Sequence, residues 1–406
     1  MSLPEQQELE SRYLMHTFAR KPVCFVEGSG MHLFDEEGND YLDFLAGIGV
    51  CSLGHCHPAI TQAISDQANK LIHVGNYYYI KQRGQVAQAL DETLNAYLDD
   101  DAQQQWCSFF TNSGAESNEC AMKLARLYAR KHARNAENVP NVIVTLDGSF
   151  HGRTMETLAA TAQPAKQEAF QPLPEGFMHT PINDIEALEQ LFAAKGEQIC
   201  AVMLEPIQGE SGVHPCTPEF LIAVERLARS VGALLIFDEV QTGVYRTGRP
   251  FAFQHFGVVP DIVTIAKGIG SGLPMGICAA RSDIAAAFEP GDHGTTFGGS
   301  NLAIAAAGTV LAELSQPGVC ERIQQVGQHL RDGLADLPGT SNVRGMGLMC
   351  ACDIEQADAN QVVLDGLKQG LVLNATGPHT LRFLPPLVCT ADDVDVLLQR
   401  LNTILS

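Results

Sequence analysis

The chain has 406 residues, of which 45% are hydrophobic and 18% charged, a globular composition long enough for two domains. Acidic residues outnumber basic ones by 47 to 26, and the net charge of −21 disfavours nucleic acid and anionic membrane surfaces as partners. The N-terminus lacks the apolar stretch of a signal peptide, and no apolar run approaches the roughly 18 residues of a membrane span, so we expect a cytoplasmic protein.

The twelve cysteines form no CxxC pair and are interpreted as reduced thiols. Cys51, His55, Cys56 and His57 lie close together and have the side-chain types of zinc ligands. One short loop rarely supplies a complete tetrahedral shell, and no second cluster follows, so a tight turn is the better interpretation. We therefore predict no metal site.

Residues 22–53 alternate short β-like runs with glycine-rich turns, and helical spacing follows at 58–71 and 86–98. A strand is predicted at 106–111, and Ser113-x-x-Glu116 then has the pattern of a capping box that starts a helix. A helix that begins after a strand offers free N–H groups, and Gly114 lets a ligand approach, which suits a phosphate. An ordinary capped helix without a ligand is the alternative.

Two further buried strands are predicted at 142–146 and 199–204, and each ends in polar residues. The first leads into Phe150 and Arg153, which could stack on a flat ring and bind a carboxylate. Alternatively, Phe150 belongs to the core and the neighbouring His151 is a turn residue. The second strand ends at Glu205.

Apolar runs at 234–237 and 262–266 stop at Asp238 and Lys267, which are 29 residues apart, about the size of a strand–crossover–strand unit. An amine can hold the aldehyde of pyridoxal phosphate as a Schiff base, and a carboxylate can keep its ring nitrogen protonated. Ordinary charges at strand ends are the alternative, and the pair alone does not decide between the two.

Five predicted strands thus end in polar or charged residues, which are Asn112, Asp147, Glu205, Asp238 and Lys267. If these strands are parallel, their ends converge on one edge of an α/β sheet, where such sheets bind ligands. Coincidence is much less plausible for five strands than for one.

The loop at 294–299 is rich in glycine and threonine and is either a second phosphate contact or a flexible link to a helix at 302–314. An α+β pattern follows, with helices near 320–336, near 359–369 and from Ala391, and strands at 343–354 and 371–375. Arg382 lies between apolar residues on a further predicted strand. Such an arginine usually pairs with an acid or binds an anion.

With these residues in place the chain resembles the class III, fold-type I pyridoxal-phosphate aminotransferases, and among them the acetylornithine and succinylornithine group. The specific segments are NSGAESNE, FHGRT, LEPIQGESG, FDEVQTGVYRTG, AKGIGSGLPMG and HGTTFGG. The resemblance implies an α/β fold with a large domain, built on a mostly parallel sheet of the seven-stranded type, and a smaller α+β domain. Residues 1–58 would be a segment joining the small domain, 59–300 the large cofactor-binding domain and 301–406 the small domain.

The resemblance implies pyridoxal 5'-phosphate as cofactor, with Lys267 as Schiff-base lysine and proton carrier and Asp238 as partner of the ring nitrogen. Phosphate contacts would come from the backbone near the helix start and from Thr296, supplied by the other subunit of a homodimer. The implied cofactor-binding residues are Ser113, Gly114, Ala115, Phe150, Asp238, Val240, Gln241, Lys267 and Thr296.

The implied substrate-binding residues are Arg153, Glu205, Thr295 and Arg382. Arg153 would bind the α-carboxylate of the amino donor, and Arg382 that of glutamate or 2-oxoglutarate. Glu205 would pair with Arg382 while the donor is bound.

The implied reaction moves the terminal amino group of N2-acetylornithine to 2-oxoglutarate, giving N-acetylglutamate 5-semialdehyde and glutamate in arginine biosynthesis. Succinylornithine, ornithine or 4-aminobutyrate aminotransferases, or an aminomutase, are alternatives on the same fold, and a catalytically inactive scaffold is the non-enzyme alternative. Tyr245 stands where the family commonly has glycine, and Ser300-Asn301 replace the more usual Asn-Pro. Both departures lie near the implied site and bear on the choice of substrate.

Overall fold

The computed structural model of the chain describes residues 2–133, 135, 137–355 and 357–406. Its helices, in chain order, are α1 (Leu3–Tyr13), α2 (Ala46–Gly49), α3 (Pro58–Ala68), α4 (Arg83–Asn95), α5 (Gly114–His132), α6 (Met155–Ala160), α7 (Pro164–Gln167), α8 (Ile185–Lys195), α9 (Pro218–Val231), α10 (Ser282–Ala285), α11 (Asn301–Leu314), α12 (Val319–Asp336), α13 (Ala359–Lys368) and α14 (Ala391–Leu405).

Its strands, in chain order, are β1 (Phe25–Ser29), β2 (His32–Asp35), β3 (Asp40–Asp43), β4 (Trp106–Thr111), β5 (Val142–Leu146), β6 (Phe177–Thr180), β7 (Ile199–Leu204), β8 (Ile207–Gln208), β9 (His214–Pro215), β10 (Leu234–Asp238), β11 (Ile262–Ile265), β12 (Gly276–Arg281), β13 (Thr340–Met346), β14 (Met349–Ile354), β15 (Leu371–Val372), β16 (Asn374–Ala375) and β17 (Thr380–Phe383).

A seven-stranded sheet with the order β4-β12-β11-β10-β7-β5-β6 forms the centre of the molecule. Strand β12 runs antiparallel to both of its neighbours, whereas the pairs from β11 to β6 are parallel. Strands β5, β7, β10 and β11 are buried at every position, which explains their predominantly apolar sequences. The predicted α/β fold with a mostly parallel seven-stranded sheet is confirmed.

Helix α5 begins where β4 ends, and its start is fixed by side-chain caps. The hydroxyl of Ser113 accepts a hydrogen bond from the N–H of Glu116 at 3.2 Å, and the carboxylate of Glu116 accepts from the N–H of Asn112 at 2.8 Å. Residues on one side of the helix, among them Ala121 and Leu124, are buried in the core. The helix therefore presents its N-terminus at the carboxyl edge of the sheet.

Two smaller sheets are built from the ends of the chain. One has the order β13-β14-β17-β16, and the other joins β1, β2 and β3 to β15. In the second, Leu42 of the N-terminal part pairs in parallel with Leu371. On the basis of this pairing we propose the division into a joining segment 1–58, a large domain 59–300 and a small domain 301–406.

Two predicted strands near the C-terminus were wrong in extent. Residues 343–354 belong to a hairpin of β13 and β14, because Gly347 has a positive φ of 55° and turns the chain. Residues 371–375 divide into β15 and β16, which belong to different sheets. Continuous apolar patterns do not show such breaks.

No single helix within the described residues has the length and apolar composition needed to cross a membrane. Helices α11 and α12 reach both only when they are taken together, and they are bent by 78° at their junction.

Candidate active site

A cavity of about 460 Å³ lies at the carboxyl edge of the large sheet. Six strands of that sheet run in the same direction, so their C-terminal ends meet there as predicted. Ten of the predicted site residues line the cavity, and these are Ser113, Gly114, Ala115, Phe150, Arg153, Glu205, Asp238, Val240, Gln241 and Lys267.

Asp238 ends β10 and is held on both carboxylate oxygens. One oxygen accepts hydrogen bonds from the side-chain amide of Asn118 and from Nδ1 of His151, both at 2.8 Å. The other accepts from the N–H of Val240 at 3.0 Å. Burial would lower the pKa of His151, but its hydrogen bond to Asp238 and the charges of Asp238 and Glu205 together raise it. The carboxylate is thus fixed in orientation beside a histidine that favours the protonated state.

Lys267 lies three residues beyond Thr264, which pairs with Asp238 on the neighbouring strand. The amine and the carboxylate therefore reach the same cavity from adjacent parallel strands. Lys267 has a positive φ of 47°, an uncommon conformation for a residue with a side chain and one often found at functional sites. Burial is the main cause that lowers the pKa of its amine, which favours the uncharged, nucleophilic form.

The N-terminus of α5 forms the wall next to Val240. A Cβ atom built on Gly114 would lie 2.7 Å from Cγ1 of Val240, so this position has room only for glycine. The first N–H groups of a helix have no carbonyl partner within it, and at this end of α5 they include those of Gly114 and Ala115, which line the cavity. This wall has the properties of an anion-binding site.

Arg153 and Arg382 provide two positive charges near the cavity. The guanidinium of Arg153, which lines it, lies 5.5 Å from the centre of the Phe150 ring. Arg382 is buried in β17, and its Nη1 donates to Oε1 of Glu210 at 2.6 Å and to Oε1 of Gln241 at 3.2 Å. Both Glu210 and Gln241 line the cavity, so Arg382 lies directly behind its wall.

The carboxylate paired with Arg382 in this structure is that of Glu210, and not that of Glu205, for which the resemblance implied this pairing while the donor is bound. Glu205 instead accepts hydrogen bonds from the N–H of Phe150 at 2.9 Å and the N–H of Gly209 at 3.3 Å. Burial raises the pKa of Glu205 to about 7, and the charge of Asp238 adds to this. Burial would also raise the pKa of Glu210, but Arg382 and Lys267 lower it to about 2.

The loop with Thr295 and Thr296 lies at the edge of the site. The hydroxyl of Thr295 accepts from the side-chain amide of Asn112 at 3.2 Å and from the N–H of Gly298 at 3.2 Å. Thr296 is exposed, and neither threonine belongs to the residues that line the cavity. Their predicted roles are therefore not assembled within one chain.

The positions that depart from the family pattern lie outside the cavity lining. Tyr245 is buried with a positive φ of 66° and borders a separate hollow beside Tyr97 and Cys320. Asn301 begins α11 and is buried.

Among the residues that the structure describes, no group of three or more His, Cys, Asp or Glu side chains is arranged to hold a metal ion. His55 pairs with Asp43 at 2.8 Å.

Among the polar side chains that line the cavity, sequence reasoning missed Asn118, His151 and Glu210 as site residues. His151 was considered only as a turn residue, in the alternative to a site at Phe150 and Arg153, although it stands between these two residues and has a titratable ring. Asn118 lies one turn beyond Gly114 on the predicted helix, and a polar side chain on its buried side was the available signal. Glu210 stands in the same segment as Glu205, and no local pattern distinguishes the two.

These residues fit pyridoxal phosphate. The amine and the carboxylate that the cofactor requires line one cavity, beside an aromatic ring and a helix N-terminus. The residues that would hold the cofactor are Ser113, Gly114, Ala115, Phe150, Asp238, Val240, Gln241 and Lys267.

Comparison with known proteins extends this result to the whole chain. The model of the family described as aminotransferase class-III matches residues 15–405. The acetylornithine aminotransferase of Caldanaerobacter subterraneus subsp. tengcongensis is 45% identical over 402 residues, 98% of each chain. That of Methanocaldococcus jannaschii is 42% identical, covering 100% of this chain and 99% of its own.

Solved structures agree with the sequence relatives. The ornithine aminotransferase from Toxoplasma gondii ME49 superposes with a TM-score of 0.92 at 30% identity, covering 100% of this chain and 95% of its own. The acetylornithine aminotransferase from Elizabethkingia anophelis gives 0.87 at 32% identity, covering 99% and 98%. With a cavity that unites Lys267 and Asp238, the chain belongs to the class III aminotransferases, which depend on pyridoxal phosphate.

Proposed function

We propose that this enzyme transfers the terminal amino group of N2-acetylornithine to 2-oxoglutarate, giving N-acetylglutamate 5-semialdehyde and glutamate, a step of arginine biosynthesis. The observation that carries the proposal is the placement of Arg153 in the same cavity as Lys267. A carboxylate bound at Arg153 leaves the far end of an ornithine-sized molecule free to reach the amine. Relatives at 40–45% identity over nearly the whole chain bear the name acetylornithine aminotransferase.

When bound, pyridoxal phosphate supplies an aldehyde that reacts with amines and a ring that accepts electrons. Asp238, oriented by Asn118 and His151, would hold a proton at the ring nitrogen. Lys267 is the general base: its Nζ, whose pKa is lowered chiefly by burial, would take a proton from the carbon that carries the donor amine. The same Nζ would then give this proton back, so Lys267 would act first as the base and afterwards as the acid.

Two substrates must use one cavity in turn, and the second arginine distinguishes them. While Arg382 is paired with Glu210, Arg153 is the cationic side chain of the cavity wall that can bind the carboxylate of the donor. For 2-oxoglutarate, which has two carboxylates, Arg382 would bind the α-carboxylate after Glu210 has moved away. In the other half of the reaction, when the donor occupies the cavity, its acyl group would lie towards Arg153.

We further propose that the enzyme works as a cytoplasmic homodimer. Thr296 is exposed and lies outside the cavity of its own chain, although its predicted role is a phosphate contact. A second copy that places its 294–299 loop at this cavity would complete the site. Exposed aromatic side chains support such an interface: Phe297 belongs to the loop, and Tyr77 follows Asn76, which donates to the carbonyls of Thr295 and Gly298.

A donor screen with 2-oxoglutarate tests the substrate. We expect the highest kcat/KM for N-acetylornithine over N-succinylornithine, ornithine and 4-aminobutyrate. Ornithine is the main competitor, since several structural neighbours are named ornithine aminotransferases. A higher value for ornithine would refute the proposed donor. Turnover without any oxo-acid acceptor would indicate an aminomutase. Absence of turnover with every donor, together with no visible absorption band that borohydride removes, would indicate an inactive scaffold.

A further inference from the structure

Arg246 carries a buried positive charge that the scheme above does not use. Its exposed fraction is 2%, and Nη1 donates to the carbonyl oxygens of Leu348 at 3.0 Å and Pro385 at 2.5 Å. The carbonyl of Arg246 in turn accepts from the N–H of Leu348 at 3.0 Å. Within the described residues no carboxylate lies within ion-pair distance of it, and no hydrogen-bond partner reaches its Nη2.

The two carbonyls lie just outside the two paired strands β14 and β17, the second of which carries Arg382. Leu348 directly precedes β14, and Pro385 follows shortly after β17. These strands pair with each other, and Ala351 of β14 lies opposite Arg382. One guanidinium therefore joins the segments next to both strands, at the same end of the strand pair.

The other end of the link is the segment that follows Asp238. Its turns are closed internally, since the carboxylate of Glu239 accepts from the N–H groups of Ala252 and Phe253 at 3.0 and 2.8 Å. Gln241, in the same segment, accepts from Nη1 of Arg382 at 3.2 Å. The segment thus contacts the Arg382 strands at two points, through Gln241 at the cavity and through Arg246 behind it.

The backbone at Gly347 is also in close contact with the backbone of the segment that contains Arg246. A Cβ atom on Gly347 would lie 2.4 Å from the carbonyl carbon of Thr247. Burying a guanidinium without a counter-ion is unfavourable, and an apolar side chain would usually replace it at lower cost. Arg246 is the side-chain type whose planar fork can donate to two separate carbonyls at once.

We propose that Arg246 is a positioning residue for the acceptor subsite. Arg246 fixes the distance between Arg382 and the segment that contains Gln241. This distance in turn determines the affinity of the cavity for a dicarboxylate. The inference rests on the proposed function, in which the α-carboxylate of 2-oxoglutarate binds at Arg382. The donor, which binds at Arg153 while Arg382 is paired with Glu210, does not depend on this distance.

The test uses glutarate, a dicarboxylate that cannot accept an amino group, with the enzyme loaded with pyridoxal phosphate. Its Kd is measured by calorimetry for wild type, Arg246→Met and Arg246→Lys, together with KM for 2-oxoglutarate and for N-acetylornithine. We expect Arg246→Met to raise the glutarate Kd and the 2-oxoglutarate KM about tenfold, the effect of about 1.4 kcal/mol. Arg246→Lys should give a smaller increase, and donor KM should stay within about twofold in both.

Arg331→Met is the matched control. Arg331 donates to the carbonyl of Gly347 at 3.1 Å, so it contacts the same turn, but it does so from α12. Its other hydrogen-bond partners among the described residues, Gln328 and Cys350, also lie within 301–406. We expect its glutarate Kd to equal that of wild type. Thermal melts of all variants compare the loss of stability.

Equal increases in donor and acceptor KM, or the same glutarate Kd change in Arg331→Met, would show a general structural role and overturn the inference. If Arg246→Met does not fold, Arg246→Lys decides, and a glutarate Kd within about twofold of wild type refutes the proposal. A wild-type enzyme that binds neither glutarate nor 2-oxoglutarate would instead refute the acceptor assignment itself, and this result precedes any comparison of variants.

Discussion

Arg382 and Glu210 form an ion pair behind the wall of the cavity, with 2.6 Å between Nη1 and Oε1. Burial would raise the pKa of Glu210, yet the charges of Arg382 and Lys267 bring it down to about 2. Glu210 is therefore ionised at every pH at which such an enzyme is assayed. A substrate carboxylate can bind Arg382 only by replacing another carboxylate.

Replacing Glu210 by Gln should make acceptor binding stronger. A neutral amide competes less for Arg382, so we expect the Kd of glutarate to fall severalfold, about 1 kcal/mol of binding free energy. The measurement is calorimetry on the enzyme loaded with pyridoxal phosphate. Asp353→Asn serves as control, because Asp353 pairs with Arg344 at 3.0 Å outside the cavity lining. An unchanged Kd in Glu210→Gln would show that the ion pair does not control access to Arg382.

Replacing His151 by Asn should weaken catalysis without removing the cofactor. The amide can still donate a hydrogen bond to Asp238, but it cannot carry the charge that His151 favours. Loss of a charge-assisted hydrogen bond is worth about 1.5–3 kcal/mol, so we expect kcat to fall by about 10- to 100-fold. Stopped-flow absorbance of the donor half-reaction measures this step.

The control for that variant is His179→Asn. His179 bonds to the hydroxyl of Thr145 at 2.7 Å and is not part of the cavity lining, so we expect wild-type kinetics. The visible spectrum of the cofactor in His151→Asn should also change its dependence on pH, because the neighbour of Asp238 no longer titrates. A variant with normal kcat and a normal spectrum would contradict the role of His151 in supporting Asp238.

The site shows how far local sequence patterns reach. Asp238 and Lys267 were identified because each directly ends an apolar run, and a parallel sheet gathers such ends at one edge. Glu205 and Glu210 could not be separated in the same way. Which of them meets Arg382 depends on where β17 lies, and Glu210 and Arg382 are 172 residues apart in sequence.

For the fold, too, features that depend on local sequence were predicted, and features that depend on tertiary contacts were not. Five of the seven strands of the large sheet, β4, β5, β7, β10 and β11, were predicted nearly to the residue, whereas β6 and β12 were not predicted. Burial of the inner strands on both faces leaves the apolar runs on which such predictions rest. The hairpin of β13 and β14 was predicted as one strand, because apolar residues continue through the turn at Gly347. The pairing of Leu42 with Leu371 depends on tertiary contacts that no local pattern records.

Glu205 should make stability depend on pH in a defined direction. Burial raises its pKa from about 4.5 to about 7, so between these values the folded protein retains a proton that the unfolded chain has lost. The free energy of unfolding therefore falls as pH rises through this range, by about 3 kcal/mol in total for this group. Glu205→Gln cannot ionise and lacks this contribution.

The measurement is the difference in Tm between wild type and Glu205→Gln at about pH 5 and about pH 8. We expect wild type to gain relative to the variant at the lower pH. Glu239, whose pKa burial also raises to about 7, is present in both proteins and cancels from the difference. Parallel Tm curves would show that Glu205 ionises normally in the folded state.

Mixing two inactive variants should restore activity if Thr296 acts on the partner's site. Lys267→Ala lacks the essential amine, and Thr296→Asp places a negative charge where the cofactor phosphate is expected. In a heterodimer of the two, one site carries both changes and the other carries neither. Random exchange of subunits therefore predicts about a quarter of wild-type activity. If Thr296 served its own chain, both sites of the heterodimer would contain one lesion, and the mixture would remain inactive. The comparison is decisive because the two arrangements use the same proteins at the same concentrations and differ only in which chain supplies the loop.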